Sequence, residues 1–113
     1  MKILALLEIY PQPGKRREVI DILLSGQGQI LVKPGCLGCE LTAGIQDDKL
    51  VYIEKWESNK EFSRHLESDD YLRILNALEF ASRPPAISFY DVRDEKGIEV
   101  IEEIRSGRGT EEE

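Results

Sequence analysis

The chain has 113 residues, 41% of them hydrophobic and 33% charged, with a formal net charge of −7. That length supports one domain built around one core. The acidic balance argues against a nucleic-acid surface, because phosphate binding takes clustered Lys and Arg, and the one basic run, Lys15-Arg16-Arg17, sits among Glu18 and Asp21 on what reads as a solvated helix face.

The first apolar stretch, KILALLEIY (Lys2 to Tyr10), is interrupted by Glu8 and bounded by Pro11 and Pro13. It is too short for a secretory h-region, and no later run could span a membrane. A cytoplasmic chain with reduced thiols and no membrane partner is therefore expected. The same stretch predicts the first strand. From Pro13-Gly14, Val19, Ile22, Leu23 and Ile30 recur at helical spacing, with Gly26 and Gly28 weakening the last turns and Pro34-Gly35 closing the segment.

CELTAGIQDDKLVYIEKW predicts a hairpin that turns at Gln46-Asp47-Asp48-Lys49. Ser58-Asn59-Lys60-Glu61 has the pattern of a capping box and opens a helix through Phe62 and Leu66. Ser68-Asp69-Asp70 restarts or bends that helix, and Tyr71, Leu75 and Leu78 continue it. Arg83-Pro84-Pro85 stops it, and AISFYDV (Ala86 to Val92) reads as the fourth strand.

The order β-α-β-β-α-β is that of the ferredoxin-like α+β fold with an antiparallel sheet. Residues 1–93 form the expected domain. In the extension 94–105, Ile98, Ile101 and Ile104 recur every third residue, which suits a short helix, with an added strand as the alternative. Residues 106–113, SGRGTEEE, are expected to be a disordered tail.

Both cysteines fall in Cys36-Leu37-Gly38-Cys39. Residues three apart on a strand point to opposite faces. If the strand runs from Leu37 to Ile45, then Leu37, Cys39, Leu41, Ala43 and Ile45 share one apolar face and Cys36 lies on the other, or in the preceding turn. A redox pair usually opens a helix, where the thiol pKa is lowered, and a zinc site needs further ligands where His65 is the only histidine. Two free thiols and no metal are expected.

Alternation divides the other strands into Ile3, Ala5, Leu7 and Ile9 against Leu4, Leu6, Glu8 and Tyr10; Val51 and Ile53 against Leu50, Tyr52, Glu54 and Trp56; and Ile87 and Phe89 against Ser88, Tyr90 and Val92. Both faces of the sheet are therefore apolar. Two helices cover one face, so the other predicts a second copy packed sheet to sheet as a two-fold dimer. Tyr52, Glu54, Trp56, Tyr90 and Glu8 are expected on one inner face, where an apolar pocket with a few polar groups would suit a small molecule.

PGCLGCEL, VYIEKWES and FSRHLESDDY resemble the antibiotic biosynthesis monooxygenase (ABM) domain family over about Lys2 to Val92, most specifically at Glu54, Trp56, Ser58 and His65. The resemblance implies a dimeric α+β barrel of ferredoxin-like protomers. It implies one of two roles: cofactor-independent oxidation of a small quinol or polycyclic phenol by O2, or a non-catalytic dimeric module that binds or senses a small molecule. On the enzymatic reading His65 is the general base for a phenolic proton, Trp56, Tyr52, Glu54 and Tyr90 bind the aromatic substrate, and no cofactor is needed. Each residue also has a plainer reading: His65 as a boundary side chain at the edge of the helix's buried stripe, Trp56 as packing at a strand-to-helix corner, Glu54 as one half of an ion pair. A related haem-degrading branch shares a Trp on the third strand and a His on the next helix. It also uses an asparagine on the first strand, which KILALLEIY lacks.

Overall fold

The computed structural model describes residues 1–107; residues 108–113, the greater part of the expected disordered tail, lie outside the described residues. The elements in chain order are β1 (Lys2–Ile9), α1 (Arg16–Ser25), α2 (Gln27–Leu31), β2 (Cys36–Ala43), β3 (Leu50–Trp56), α3 (Asn59–Leu66), α4 (Asp69–Leu78), β4 (Ala86–Val92) and α5 (Ile98–Arg105). This is the ferredoxin-like order with each crossover helix split in two. The extension after the fourth strand is a helix.

Both splits have local causes. Gly26 ends α1, and a Cβ there would run into the Arg73 guanidinium that lies over it. Ser68 holds extended backbone between α3 and α4, and its N–H reaches back to the His65 carbonyl at 3.0 Å. At the start of α3, Ser58 Oγ accepts from the Glu61 N–H at 3.3 Å, one half of a capping box, while the Glu61 carboxylate pairs with Arg64 at 3.4 Å.

The strands form one antiparallel sheet in the order β2-β3-β1-β4. Directly paired residues share a face. Ile3 pairs with Trp56, Ala5 with Glu54 and Phe89, and Leu7 with Tyr52 and Ile87. These residues face the helices. Ile87 and Phe89 lie half-exposed at the β4 edge, and Ile3, Ala5, Leu7, Tyr52 and Trp56, with Ile9, Val19, Leu23, Leu50, Ile74 and Ala77, make the core. Each large aliphatic side chain removed from water there contributes about 1.5–3 kcal/mol.

Leu4 pairs with Tyr90 and Lys55, and Leu6 with Ile53 and Ser88, on the opposite side. Tyr90 and Glu8 therefore do not share a face with Tyr52, Glu54 and Trp56, contrary to the sequence expectation. Alternation orders residues within a strand, but only the register between strands says which alternate sets coincide. The open face keeps the expected apolar character, with Leu4, Leu6, Val51, Ile53 and Val92 half-buried and Tyr90 49% exposed.

The cysteines also depart from expectation. A β-bulge between Cys36 and Gly38 adds one residue to β2, so Cys36 comes opposite Trp56 and Cys39 opposite Glu54. The extra residue reverses the alternation and turns both thiols to the helix side. Leu37 is exposed, and Ile45, beyond the end of the strand, is 100% exposed, so neither belongs to the apolar face that carries Cys39. Among the described residues no helix is long and apolar enough to cross a membrane.

Candidate functional site

Glu54 lies on β3, one of the two central strands, between Ala5 of β1 and Cys39 of β2. Two small neighbours leave room above a carboxylate that a larger pair would fill. Alternation along β3 puts Tyr52 and Trp56 on either side of it, facing the same way. The indole Nε1–H of Trp56 donates to Glu54 Oε1 at 2.9 Å. From α3, His65 brings Nε2 to 3.1 Å from Glu54 Oε2, and the two side chains are 0% and 2% exposed respectively.

His65 does not hang at the rim of its helix. Its ring stacks on Trp56 at 4.7 Å between centroids and 28° between planes, and takes the edge of Tyr71 from α4 at 5.4 Å. Its other nitrogen, Nδ1, is 3.0 Å from Nζ of Lys33, in the connection between α2 and β2. Both ring nitrogens are therefore engaged within the protein. The boundary placement expected from the sequence is corrected: His65 is core.

Next to the carboxylate, Cys39 Sγ and Tyr52 Oη lie 3.1 Å apart. Burial pushes the Cys39 thiol up to about 11. Burial, and then the charge of Glu54, raise the Tyr52 phenol far above its ordinary value. Tyr71 rises for the same two reasons in the same order, and Cys36 rises chiefly through burial. At neutral pH all four stay protonated, so they are hydrogen-bond donors and packing groups rather than nucleophiles. Both cysteines are free thiols. Among the described residues no three His, Cys, Asp or Glu side chains group together as a metal site would need.

Between the sheet and helices α3 and α4 lies a cavity walled by Ala5, Tyr52, Glu54, Phe62, Tyr71 and Phe89, with Leu6, Leu7, Ile74 and Ile87 completing it. Its volume is about 10 Å3 to the centre of a water-sized sphere, room for about one water. Phe62 and Phe89 meet edge to face at 5.0 Å, and the half-exposed Ile87 and Phe89 on β4 mark the side on which it approaches solvent.

Of the five residues singled out in the sequence, Tyr52 and Glu54 line this cavity. Trp56 and His65 stand behind Glu54 and line a separate surface groove of about 240 Å3 with Lys33, Pro34, Glu61, Arg64 and Ser68. Tyr90 is on the far side of the sheet. Sequence reasoning missed Lys33, Phe62, Tyr71 and Phe89 as parts of the site. Lys33 did carry a signal, as the only cation between Arg17 and Lys49.

The sequence matches the family model described as antibiotic biosynthesis monooxygenase over residues 2–77. The chain belongs to this family. Its fold is similar to that of Rv0793 from Mycobacterium tuberculosis, with a TM-score of 0.78 at 21% identity over 86% of this chain and 100% of the other. It is also similar to a conserved protein from Methanosarcina mazei Go1, with a TM-score of 0.75 at 20% identity over 82% of this chain and 94% of the other. A third similar structure, from Deinococcus radiodurans and provisionally assigned as an antibiotic biosynthesis monooxygenase, gives a TM-score of 0.76 at 14% identity over 85% and 97% of the two chains. At these identities the likeness concerns the fold. A comparison with the curated proteins finds no match.

Proposed function

We propose that this ABM-family protein is a cytoplasmic homodimer whose protomers each oxidise a small quinol or polycyclic phenol with O2, using no cofactor. The observation that carries this reading is Glu54: a carboxylate in the wall of an otherwise apolar and aromatic cavity, held from behind by Trp56 and His65. Once the half-exposed Ile87 and Phe89 swing aside to admit a ring into a cavity that otherwise holds about one water, a base so placed can take a phenolic proton where the resulting anion is shielded from water. The role given to His65 by the family resemblance thus passes to Glu54, because Glu54 lines the cavity and His65 stands behind it with neither nitrogen facing that space.

The electrons balance without an added reductant. Glu54 takes the hydroxyl proton of the phenol, and the electron-rich anion reduces O2. The oxygen bonds, as a peroxide that takes up a proton, to a ring carbon that carries hydrogen: para to the hydroxyl in a phenol, ortho to it in a quinol. Loss of that carbon's hydrogen, with cleavage of the O–O bond, leaves one oxygen atom as a new carbonyl and releases the other as water. The substrate supplies all the electrons and becomes a quinone.

The dimer in this proposal uses the open face of the sheet, where Leu4, Leu6, Val51 and Ile53 lie together. Packing two such faces would bury on the order of 1,600 Å2, a standard stable interface.

A second reading is a non-catalytic dimeric module that binds a small molecule, favoured by a cavity that holds about one water. Oxygen uptake with a panel of quinols and polycyclic phenols separates the two, with wild type run beside Glu54→Gln. Uptake that disappears in the variant supports the enzyme. Binding of a panel member without uptake in wild type supports the module.

A further inference from the structure

The hydrogen bonds around His65 determine their own directions. An ammonium group has three N–H donors and no acceptor. Three acceptors surround Lys33 Nζ: His65 Nδ1 at 3.0 Å, Ser68 Oγ at 3.0 Å and Asp70 Oδ2 at 3.1 Å. Nδ1 therefore presents its lone pair to Lys33. The single proton of the neutral ring then sits on Nε2 and points at Glu54 Oε2. Ser68 Oγ, having accepted from Lys33, gives its own hydrogen to the His65 carbonyl at 2.6 Å. Trp56, a donor only, takes the other oxygen of Glu54. Among the described residues no buried side-chain nitrogen or oxygen is left without a partner.

The other tautomer fails on the same geometry. It would set an N–H against the ammonium of Lys33 and a lone pair against the buried carboxylate of Glu54, replacing two hydrogen bonds with two repulsions around a ring that is itself fully buried.

We propose that Lys33 is the positioning residue of this site: by occupying Nδ1 it locks His65 in the Nε2–H tautomer, which keeps Glu54 turned as a double acceptor into the cavity wall. Lys33 touches neither the cavity nor anything in it. Its side chain reaches inward from the surface groove, 22% exposed, and Asp70, 28% exposed, anchors it there. The lock also isolates Glu54. Nε2 already carries a proton and the lone pair of Nδ1 is taken by Lys33, so His65 cannot accept a proton from Glu54. A proton that Glu54 takes from a phenol therefore stays on Glu54 until the reacting molecule reclaims it. This last consequence rests on the oxidation reading; the tautomer itself belongs to the folded chain alone.

His65 being the only histidine, full-length protein labelled with 15N-histidine gives the NMR signals of a single imidazole. Wild type at neutral pH is expected to show Nε2 with a directly bonded proton and Nδ1 as a bare, hydrogen-bonded nitrogen. Lys33→Arg, which keeps a charged donor, should preserve that pattern, and Lys33→Met should lose it. A wild-type ring protonated on Nδ1, or on both nitrogens, overturns the lock with no variant needed, and so does a folded Lys33→Met protein with the wild-type pattern. If Lys33→Met does not fold, the wild-type and Lys33→Arg spectra still decide the matter. On an oxidisable phenol, Lys33→Met should lower kcat on the order of tenfold and leave KM unchanged, with Lys33→Arg close to wild type; an unchanged kcat would overturn the positioning role. If the spectra match but wild type oxidises no phenol, the oxidation reading fails and the lock stands.

Discussion

Ala5 sits directly opposite Glu54 across the β1–β3 pairing. The smallest side chain on that strand face thus lies beside the buried carboxylate, and both line the cavity. Ala5→Leu should fill the space at a cost of about 1–3 kcal/mol from overpacking. Loss of binding of an aromatic ligand, measured by calorimetry on the folded variant, is the expected outcome.

Glu54→Gln removes the proposed base while nearly keeping its shape. Activity towards a phenol should fall by about 100- to 10,000-fold. Stability should fall as well, by about 1–3 kcal/mol, because Glu54 accepts from both Trp56 and His65 and an amide has only one oxygen to offer two donors. A urea melt beside the oxygen electrode checks both effects.

His65→Ala is expected to be mainly a folding defect. The ring is fully buried, stacked on Trp56 and bonded to Glu54. Removing it leaves a hole and strips a buried carboxylate of a partner, together worth about 3–5 kcal/mol. A melting temperature within a few degrees of wild type would contradict this account of the core.

Stability should decline at alkaline pH. The Cys39 thiol is raised from 9.0 to about 11 in the folded protein, so between those values the folded state holds a proton that the unfolded chain has released. The stabilisation is complete below pH 9 and is lost as pH rises through about 11. Tyr52, also raised, adds the same sign above its ordinary value of 10.0. Urea midpoints from pH 8 to 11 should fall; Cys36, raised from the same 9.0 by burial, adds to the decline, so Cys39→Ala should remove only part of what begins near 9 and Cys36→Ala with Cys39→Ala the rest.

Leu6 and Ile53 pair on the open face of the sheet. If that face joins two protomers, Leu6→Glu with Ile53→Glu should turn a dimer into a folded monomer of 12.9 kDa by light scattering, because two buried like charges meet their symmetry mates. A wild type that is already monomeric at micromolar concentration removes the proposed interface.

The sequence by itself determined the elements and their order. Prolines bound the first strand, Ser58 begins the third helix and Pro84-Pro85 precede the fourth strand. These are local features, decided by backbone sterics and hydrogen bonds within a few residues. The isoleucines of 98–105, in contrast, suited a helix and left a strand open until the structure showed a helix. Glu54, Trp56 and His65 also stood out as a group. Which of them faces a cavity was decided only by the tertiary structure. Tyr90 went to the far side of the sheet because β4 pairs with β1 in a register that alternation within a strand cannot reveal. Cys36 joined Cys39 because a single bulge reversed the alternation of β2. Lys33 is linked to His65 across 32 positions of sequence, a contact that exists only once the connection after α2 has closed over α3.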